Sequence, residues 1–371
     1  MYIRFEDRIK QKALELQGPR ALIQASHAQE LNAAFAAIEQ AHQDGYWIGL
    51  VLNYELAQLW EPRLLARRSR FPLLSALVFE QAVPCSLWNS SHALALTAKA
   101  TISEAIYHQH IAEIQADIRA GDFYQINYSL PLQISSPMPT RELYTALASR
   151  HPVAYACYVE LENRRILSLS PELFLHKQGL HIGMRPMKGT MPRHADPKQD
   201  EAAAQTLANS EKDRAENVMI VDLLRNDLGC IAEIGSVHMD SLFDIERYES
   251  VWTMTSSLQA RLQPNTTLAK LLHAVFPCGS ITGAPKLAAM QKIRALETHE
   301  RGIYCGALGY WSPEDELQLS VAIRTLELDA QGQGILGVGG GIVHDSDAAN
   351  EWQECMWKAR ILNTTIQAQG I

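Results

Sequence analysis

Apolar periodicity changes along this chain in blocks, and the order of those blocks restricts the fold more than any other feature. A helical period runs through Ile102 to Ala120 and closes at Gly121, and a strand-like stretch from Phe123 to Ile134 follows. The segment Arg165 to His176, the turn residues Lys177-Gln-Gly179 and the stretch Leu180 to Met187 read as a β-hairpin. Helices then come together: Asp196-Pro197 caps an alanine-rich helix to about Asn209, and Ser210-Glu-Lys-Asp213 restarts one that ends near Gly229. Strand candidates return at Ser320 to Leu328 and Gly334 to Val343, before a helix from Asp347 to about Leu362. Strands in runs and helices in blocks give an α+β class and not a regular βαβ repeat.

Before residue 96 the chain holds a helix-like stretch, Ala28 to Gln43, and an apolar strand candidate, Tyr46 to Leu52, with little recognisable chemistry. Residues 1–95 are expected to pack into the same fold as a catalytic region spanning 96–371. Several function classes drop out here. Acidic residues outnumber basic ones, 41 to 33, and no long Lys/Arg block exists, so nucleic-acid binding has no electrostatic basis. The N-terminus MYIRFEDRIK is not a signal peptide and no apolar run reaches membrane-spanning length, so a cytoplasmic protein is expected. Six scattered cysteines form no C-x-x-C pair, which argues against zinc and against a disulfide framework. None lies in a nucleophile motif, so any ammonia the chain uses must come from elsewhere.

Candidate chemistry is carried by charges at helical spacing. Asp213 and Glu216 share one helix face, as do Glu351 and Glu354, with Lys358 one turn on; Trp352, Cys355, Ala359 and Leu362 form a separate apolar face. Two facing acidic pairs would suit Mg²⁺, although the same spacing fits two solvated faces. The glycine run Gly337-Val-Gly-Gly-Gly341 reads as a loop after a strand, and Gly279-Ser-Ile-Thr-Gly-Ala-Pro-Lys286 as another; neither has dinucleotide or Walker-A spacing. Arg324, flanked by apolar residues in a strand, needs a carboxylate partner if it is buried. Lys188 stands between Arg185 and Arg193. If the hairpin turn has three residues, parity places Glu172 and Lys188 on one face.

The ordered blocks SPELF, RPMKGT, KDRAENVMIVDLLRNDLG, GSITGAPK, YCGALGY, IRT, GGGIVHDS and EWQE resemble the chorismate-utilising enzymes from about Gly121 to Leu362. The resemblance implies two large antiparallel sheets packed together, helices outside, and a site between the sheets. It implies that Asp213, Glu216, Glu351 and Glu354 hold Mg²⁺, and that Gly279, Ser280, Tyr304, Arg324, Gly339, Gly341 and Lys358 surround chorismate. Glu172 matches the acid that protonates the departing ring hydroxyl. Gln125 stands where isochorismate- and salicylate-forming members have a water-activating lysine, and an amide cannot act as that base.

Lys188 stands where the anthranilate-forming members have alanine, which implies amination of chorismate by ammonia to 4-amino-4-deoxychorismate through a covalent lysine adduct. Arg185, Arg193 and Mg²⁺ are expected to disfavour the charged form of that amine. The partners implied are a separate glutaminase subunit that supplies ammonia and a separate lyase downstream, on the way to 4-aminobenzoate and folate. Thr253 replaces a histidine tied in the anthranilate-forming members to pyruvate loss. No tryptophan-binding motif is found near the N-terminus. Anthranilate formation and a non-catalytic chorismate-binding role remain the alternatives.

Overall fold

The computed structural model describes residues 1–248 and 251–367, so Ile371, where the expected catalytic region ends, lies outside them. Among the described residues, strand pairing is antiparallel except where Ile366–Gln367 meets Thr97–Ala100. One row of strands runs Val251–Arg261, His181–Met184, Leu173–Gln178, Glu316–Val321, Ala307–Trp311, Trp47–Leu52, Leu74–Cys85 and Lys12–Ala25. A second runs Tyr2–Asp7, Tyr155–Leu161, Arg164–Ser170, Thr325–Leu328, Gln333–Ile342 and Gln125–Ser135. The hairpin between Tyr2–Asp7 and Lys12–Ala25 joins them into one ladder. Residues near the N-terminus thus supply strands to both rows.

Packing shows why the ladder folds on itself. A buried cluster joins Ile3, Leu77 and Leu308 to Cys157, Val159 and Ile166, filling the space between the rows. Two larger clusters cover the outer faces, one holding helix residues Leu31, Phe35 and Leu224, the other Tyr107, Ile111 and Cys355. The fold is α+β with the sheets face to face and helices outside.

Helix boundaries follow local chemistry. Ala28–Gln43 forms as its pattern predicts. Glu104–Ala120 closes at Gly121 in the left-handed region, φ 88°. The Asp196 side chain caps Pro197–Ala208 and the Ser210 hydroxyl caps Glu211–Gly229. Ala348–Lys358 ends in a tighter turn, Ala359–Leu362, and buries Cys355, Ala359 and Leu362. No helix among the described residues is long and apolar enough to cross a membrane.

Three sequence expectations are corrected, and each correction lies at the prospective site. The stretch Arg165 to His176 is not one strand: Arg164–Ser170 belongs to one row and Leu173–Gln178 to the other, with Pro171 and Glu172 in the crossing. Pro171 has no N–H to give a ladder, so pairing stops there. Ser320 to Leu328 likewise splits into Glu316–Val321 and Thr325–Leu328, and Arg324 sits in the break at φ 50°. The strand candidate Gly334 to Val343 forms as Gln333–Ile342, and the glycine run is part of it and not a loop, because Gly337 to Gly341 pair residue by residue with Pro131 to Asn127.

The hairpin register also differs. Gln178 pairs with His181 around a two-residue turn in which Gly179 takes φ 58°. His176 therefore faces Gly183 instead of Leu180, an odd step that cancels the parity argument for Glu172 and Lys188. The chain instead leaves its strand at Arg185-Pro186 and resumes as Met187–Pro192, pairing with Val251–Arg261. A bulge between Lys188 and Thr190, with Gly189 at φ 78°, turns the lysine inward.

Candidate active site

Ser280 is the junction of the site. It lies in a single tight turn, Gly279–Ile281, packed so closely on the Glu211–Gly229 helix that a Cβ on Gly279 would stand 2.8 Å from the Leu223 side chain. The Ser280 hydroxyl donates to Glu172 Oε1 at 2.8 Å. Lys188 Nζ donates to the Ser280 carbonyl oxygen at 3.1 Å. An acid from one sheet crossing and an amine from a bulged strand are thus held on the two ends of one residue.

Glu172 is 4% exposed, and burial lifts its carboxyl from 4.5 to about 6, against the opposing pulls of the Ser280 hydroxyl, the Lys188 charge and the Met187 N–H. It is an acid able to carry a proton toward neutrality, as general acid catalysis requires. Cys278, whose thiol is 3.2 Å from the Ser280 hydroxyl, is pushed up to about 12 by burial and stays neutral.

Gln125 closes the other side of the lysine. A Cβ on Gly341 would collide with the Gln125 amide and approach Lys188 Nζ to 3.6 Å, so only glycine lets these groups share the space. Gln125 is 1% exposed and its Oε1 has no hydrogen-bond partner among the described residues. Thr253 is fully buried and donates to the Gly189 carbonyl at 3.1 Å, which braces the bulge that aims Lys188.

Arg185 and Arg193 do not act on the lysine as expected. Arg185 pairs with Glu246, and Arg193 makes a forked pair with Asp200 at 2.7 Å while lying over Trp252. Each cation is paired with its own carboxylate, Glu246 for Arg185 and Asp200 for Arg193.

The four carboxylates expected to hold Mg²⁺ lie on the Glu211–Gly229 and Ala348–Lys358 helices. Burial raises the Glu216 carboxyl, and the charges of Asp213 and Glu354 add to that rise while Lys188 and Lys212 oppose it. Burial raises Glu351 as well, against a hydrogen bond from the Ser346 hydroxyl at 2.7 Å. Burial also works against Glu354, yet the Lys358 ammonium at 2.7 Å holds that carboxyl below its ordinary value. Lys358 Nζ further donates to Gly339 O at 2.6 Å, and a Cβ on Gly340 would stand 3.1 Å from Glu351. Asp213 packs on Gly189, beside the lysine.

Among the described residues no three His, Cys, Asp or Glu side chains are gathered closely enough to enclose an ion. The donor chemistry nevertheless fits Mg²⁺: every donor is a carboxylate oxygen, and the like charges crowd one another across two helices.

Tyr304 is buried under the glycine strand, where a Cβ on Gly337 would fall inside its ring. Arg324 is placed by the hydrogen bond from Leu169 N to its carbonyl oxygen at 3.0 Å, next to the crossing that carries Glu172, whose own carbonyl accepts from Val321 N at 3.1 Å. Burial lowers the Arg324 guanidinium from its ordinary value, and no hydrogen bond or ion pair satisfies it among the described residues. A half-buried cation with open donors can take an anion. The structure therefore brings Glu172, Lys188, Gly279, Ser280 and Gly341 into one group, and Glu351, Glu354, Lys358, Gly339 and Gly340 into another. Glu216 couples the two through its neighbours Lys188 and Glu354. Among the described residues no hydrogen bond links Arg324 or Tyr304 to either group.

Comparison with known proteins gives the family and the fold. The family model described as chorismate binding enzyme matches residues 87–364. The chain belongs to the chorismate-binding enzymes. Among these enzymes, aminodeoxychorismate synthase component 1 of Klebsiella aerogenes is 42% identical over 266 residues, covering 71% of this chain and 59% of the relative. Anthranilate synthase component 1 of Streptomyces coelicolor is 37% identical over 271 residues, covering 72% of this chain and 52% of that one. The chain spans a little over half the length of these relatives. In fold it is similar to anthranilate synthase component I of Streptococcus pneumoniae, with a TM-score of 0.84 at 24% identity over 95% of this chain and 92% of that structure.

Proposed function

We propose that this chain aminates chorismate with ammonia to give 4-amino-4-deoxychorismate, a reading supported by the name aminodeoxychorismate synthase component 1 of a 42% identical relative. The observation that carries the reading is the Glu172–Ser280–Lys188 triplet, a proton-bearing acid and an amine on one residue, with no water-activating lysine at Gln125. The family resemblance places alanine at that position in the anthranilate-forming members.

In this reading neutral Lys188 Nζ forms a C–N bond to the ring while the ring C–O bond breaks, and the Glu172 proton leaves with the hydroxyl as water. Ammonia then bonds to the carbon that lost the hydroxyl, the ring double bonds shift back, and lysine departs as the free amine. Two displacements replace one difficult substitution. The buried Gln125 Oε1 offers an acceptor for an N–H of the incoming ammonia. Arg324, Tyr304, Lys358 and the Gly339 and Gly341 backbone would bind the substrate carboxylates, with Gly279 and Ser280 forming the opposite wall. Asp213, Glu216, Glu351 and Glu354 would hold Mg²⁺, which supplies charge neutralisation for a carboxylate.

The reading also assigns the chain to the cytoplasm, with ammonia supplied by a separate glutaminase subunit and pyruvate released by a separate lyase. Incubation with chorismate, Mg²⁺ and ammonium, with products separated by chromatography, tests it; anthranilate or isochorismate as the main product would reject it. Lys188→Ala is expected to lower amination by about a thousandfold with ammonium as donor. Undiminished turnover by that variant would remove the covalent step.

A further inference from the structure

Behind the Ser280 turn lies a buried ion pair that the proposed chemistry does not use. Arg301 is 2% exposed and Glu297 3% exposed. Arg301 Nε donates to Glu297 Oε2 at 2.8 Å and its Nη2 to Oε1 at 2.7 Å. The guanidinium has donors left over, and they go to main chain: Nη1 to Ile281 O at 3.2 Å and Nη2 to Asn127 O at 2.7 Å. Glu297 Oε1 also accepts from Ser129 N at 3.0 Å and Ser129 Oγ at 2.8 Å. One pair therefore grips the turn that carries Ser280 and the strand that carries Gln125.

Other contacts hold the pair in place. The Arg301 guanidinium lies 4.5 Å over the Tyr54 ring, and Glu55 accepts from Arg301 N at 2.7 Å and Gly302 N at 3.1 Å. Beyond it is a cavity of about 40 Å³, lined in part by Tyr54, Glu55, Arg67 and His299. A buried ion pair is seldom more stabilising than apolar side chains of the same volume. What this one adds is direction, because a planar fork fixes two carbonyls relative to one another.

We propose that Arg301 is a positioning residue: by clamping Ile281 O against Asn127 O it holds Ser280 where its hydroxyl meets Glu172 and its carbonyl receives Lys188. The kinetic consequence rests on the reading of Glu172 as the acid, while the clamp itself does not. The groups that face Glu172 are the Lys188 ammonium, the Met187 N–H, the Tyr248 hydroxyl and the thiols of Cys278 and Cys305, both pushed up to about 12 by burial. Loosening the turn removes the Ser280 hydrogen bond, which favours the carboxylate, so Glu172 should hold its proton to higher pH.

The test follows the carboxyl directly. In ¹³C-glutamate-labelled protein, the Glu172 resonance, assigned by its loss in Glu172→Gln, is titrated in wild type, Ser280→Ala, Arg301→Lys and Glu297→Gln. Ser280→Ala should raise the midpoint by about one unit, a tenfold tighter proton, on losing a hydroxyl-to-carboxylate bond. Arg301→Lys should move it the same way by at least half as much, and Glu297→Gln serves if the lysine variant does not fold.

In the amination assay the alkaline limb of kcat should move with the titration, with KM for chorismate changed less than about threefold. A folded Arg301→Lys or Glu297→Gln variant with Glu172 titrating as in wild type overturns the proposal, whatever its activity. If the midpoints move as stated while wild type forms no aminated product, the clamp stands and the proposed function falls.

Discussion

Glu172→Gln should make the protein more stable and inactive, with a gain that depends on pH. Glu172 is 4% exposed and burial is the largest cause of its rise from 4.5 to about 6. A carboxyl whose folded value exceeds its unfolded one favours the fold while protonated. That contribution is complete below about 4.5 and is lost as pH rises through about 6. At about 1.4 kcal/mol per unit, the shift of one and a half units costs about 2 kcal/mol at neutral pH relative to acid. Glutamine is uncharged, nearly isosteric and still able to accept from Ser280. Urea unfolding midpoints of wild type and variant at pH 4.5, 6 and 8 should separate by about 2 kcal/mol at pH 8 and converge at the acid end. Amination by the variant should fall about a hundredfold or more. A variant no more stable than wild type at pH 8, or one whose advantage is the same at every pH, would refute the assignment of Glu172 as a buried acid.

Three further outcomes follow from the site. Arg324→Met removes a guanidinium with no partner among the described residues, so thermal stability should hold or rise by about 1 kcal/mol while KM for chorismate rises about a hundredfold; unchanged KM would exclude Arg324 from substrate binding. Gly337→Ala places a methyl inside the Tyr304 ring between paired strands and should cost about 3 kcal/mol or more by denaturant titration; a neutral effect would mean that Tyr304 can leave its position. Glu216→Gln and Glu354→Gln should each raise the Mg²⁺ concentration for half-maximal amination of EDTA-treated enzyme by at least about tenfold, and an unaltered requirement would remove these residues from the metal site.

Helices were legible because their signals are local. The Asp196, Ser210 and Gly121 caps lie within a turn of the boundaries they set. The α+β class was legible from the order of periodicities. The site residues were legible from the motifs, but their geometry was not, because these side chains meet through strand crossings and a bulge that periodicity smooths over. Arg165 to His176 and Ser320 to Leu328 each alternate well enough to pass for one strand, yet Glu172 and Arg324 sit where each changes sheet. Lys188 reached Glu172 by a break at Pro186 and a bulge at Gly189, not by hairpin parity. The glycine run looked like a loop because sequence cannot show that the space above Gly337 is filled by Tyr304 and the space above Gly341 by Gln125 and Lys188.

The crossings explain why an acid and a cation can lie side by side in backbone terms without neutralising each other. Within a paired strand a side chain faces either the inter-sheet core or an outer core, and neither accepts a lone charge. At a crossing the ladder lapses, and a non-glycine residue such as Arg324 at φ 50° can hold left-handed backbone that costs about 1 kcal/mol or more. Glu172 and Arg324 come from adjacent crossings, but among the described residues no ion pair joins them. Stability separates this arrangement from a hidden salt bridge. If the two charges were paired, Glu172→Gln or Arg324→Met alone would strand the other and cost about 3–5 kcal/mol, and the double variant would recover much of that loss. If they are held apart for a ligand, each single variant is stabilised or neutral at pH 8 and the double variant is the sum of the two. The sign of the single variants decides between these accounts, and only the second leaves an open guanidinium for a substrate carboxylate.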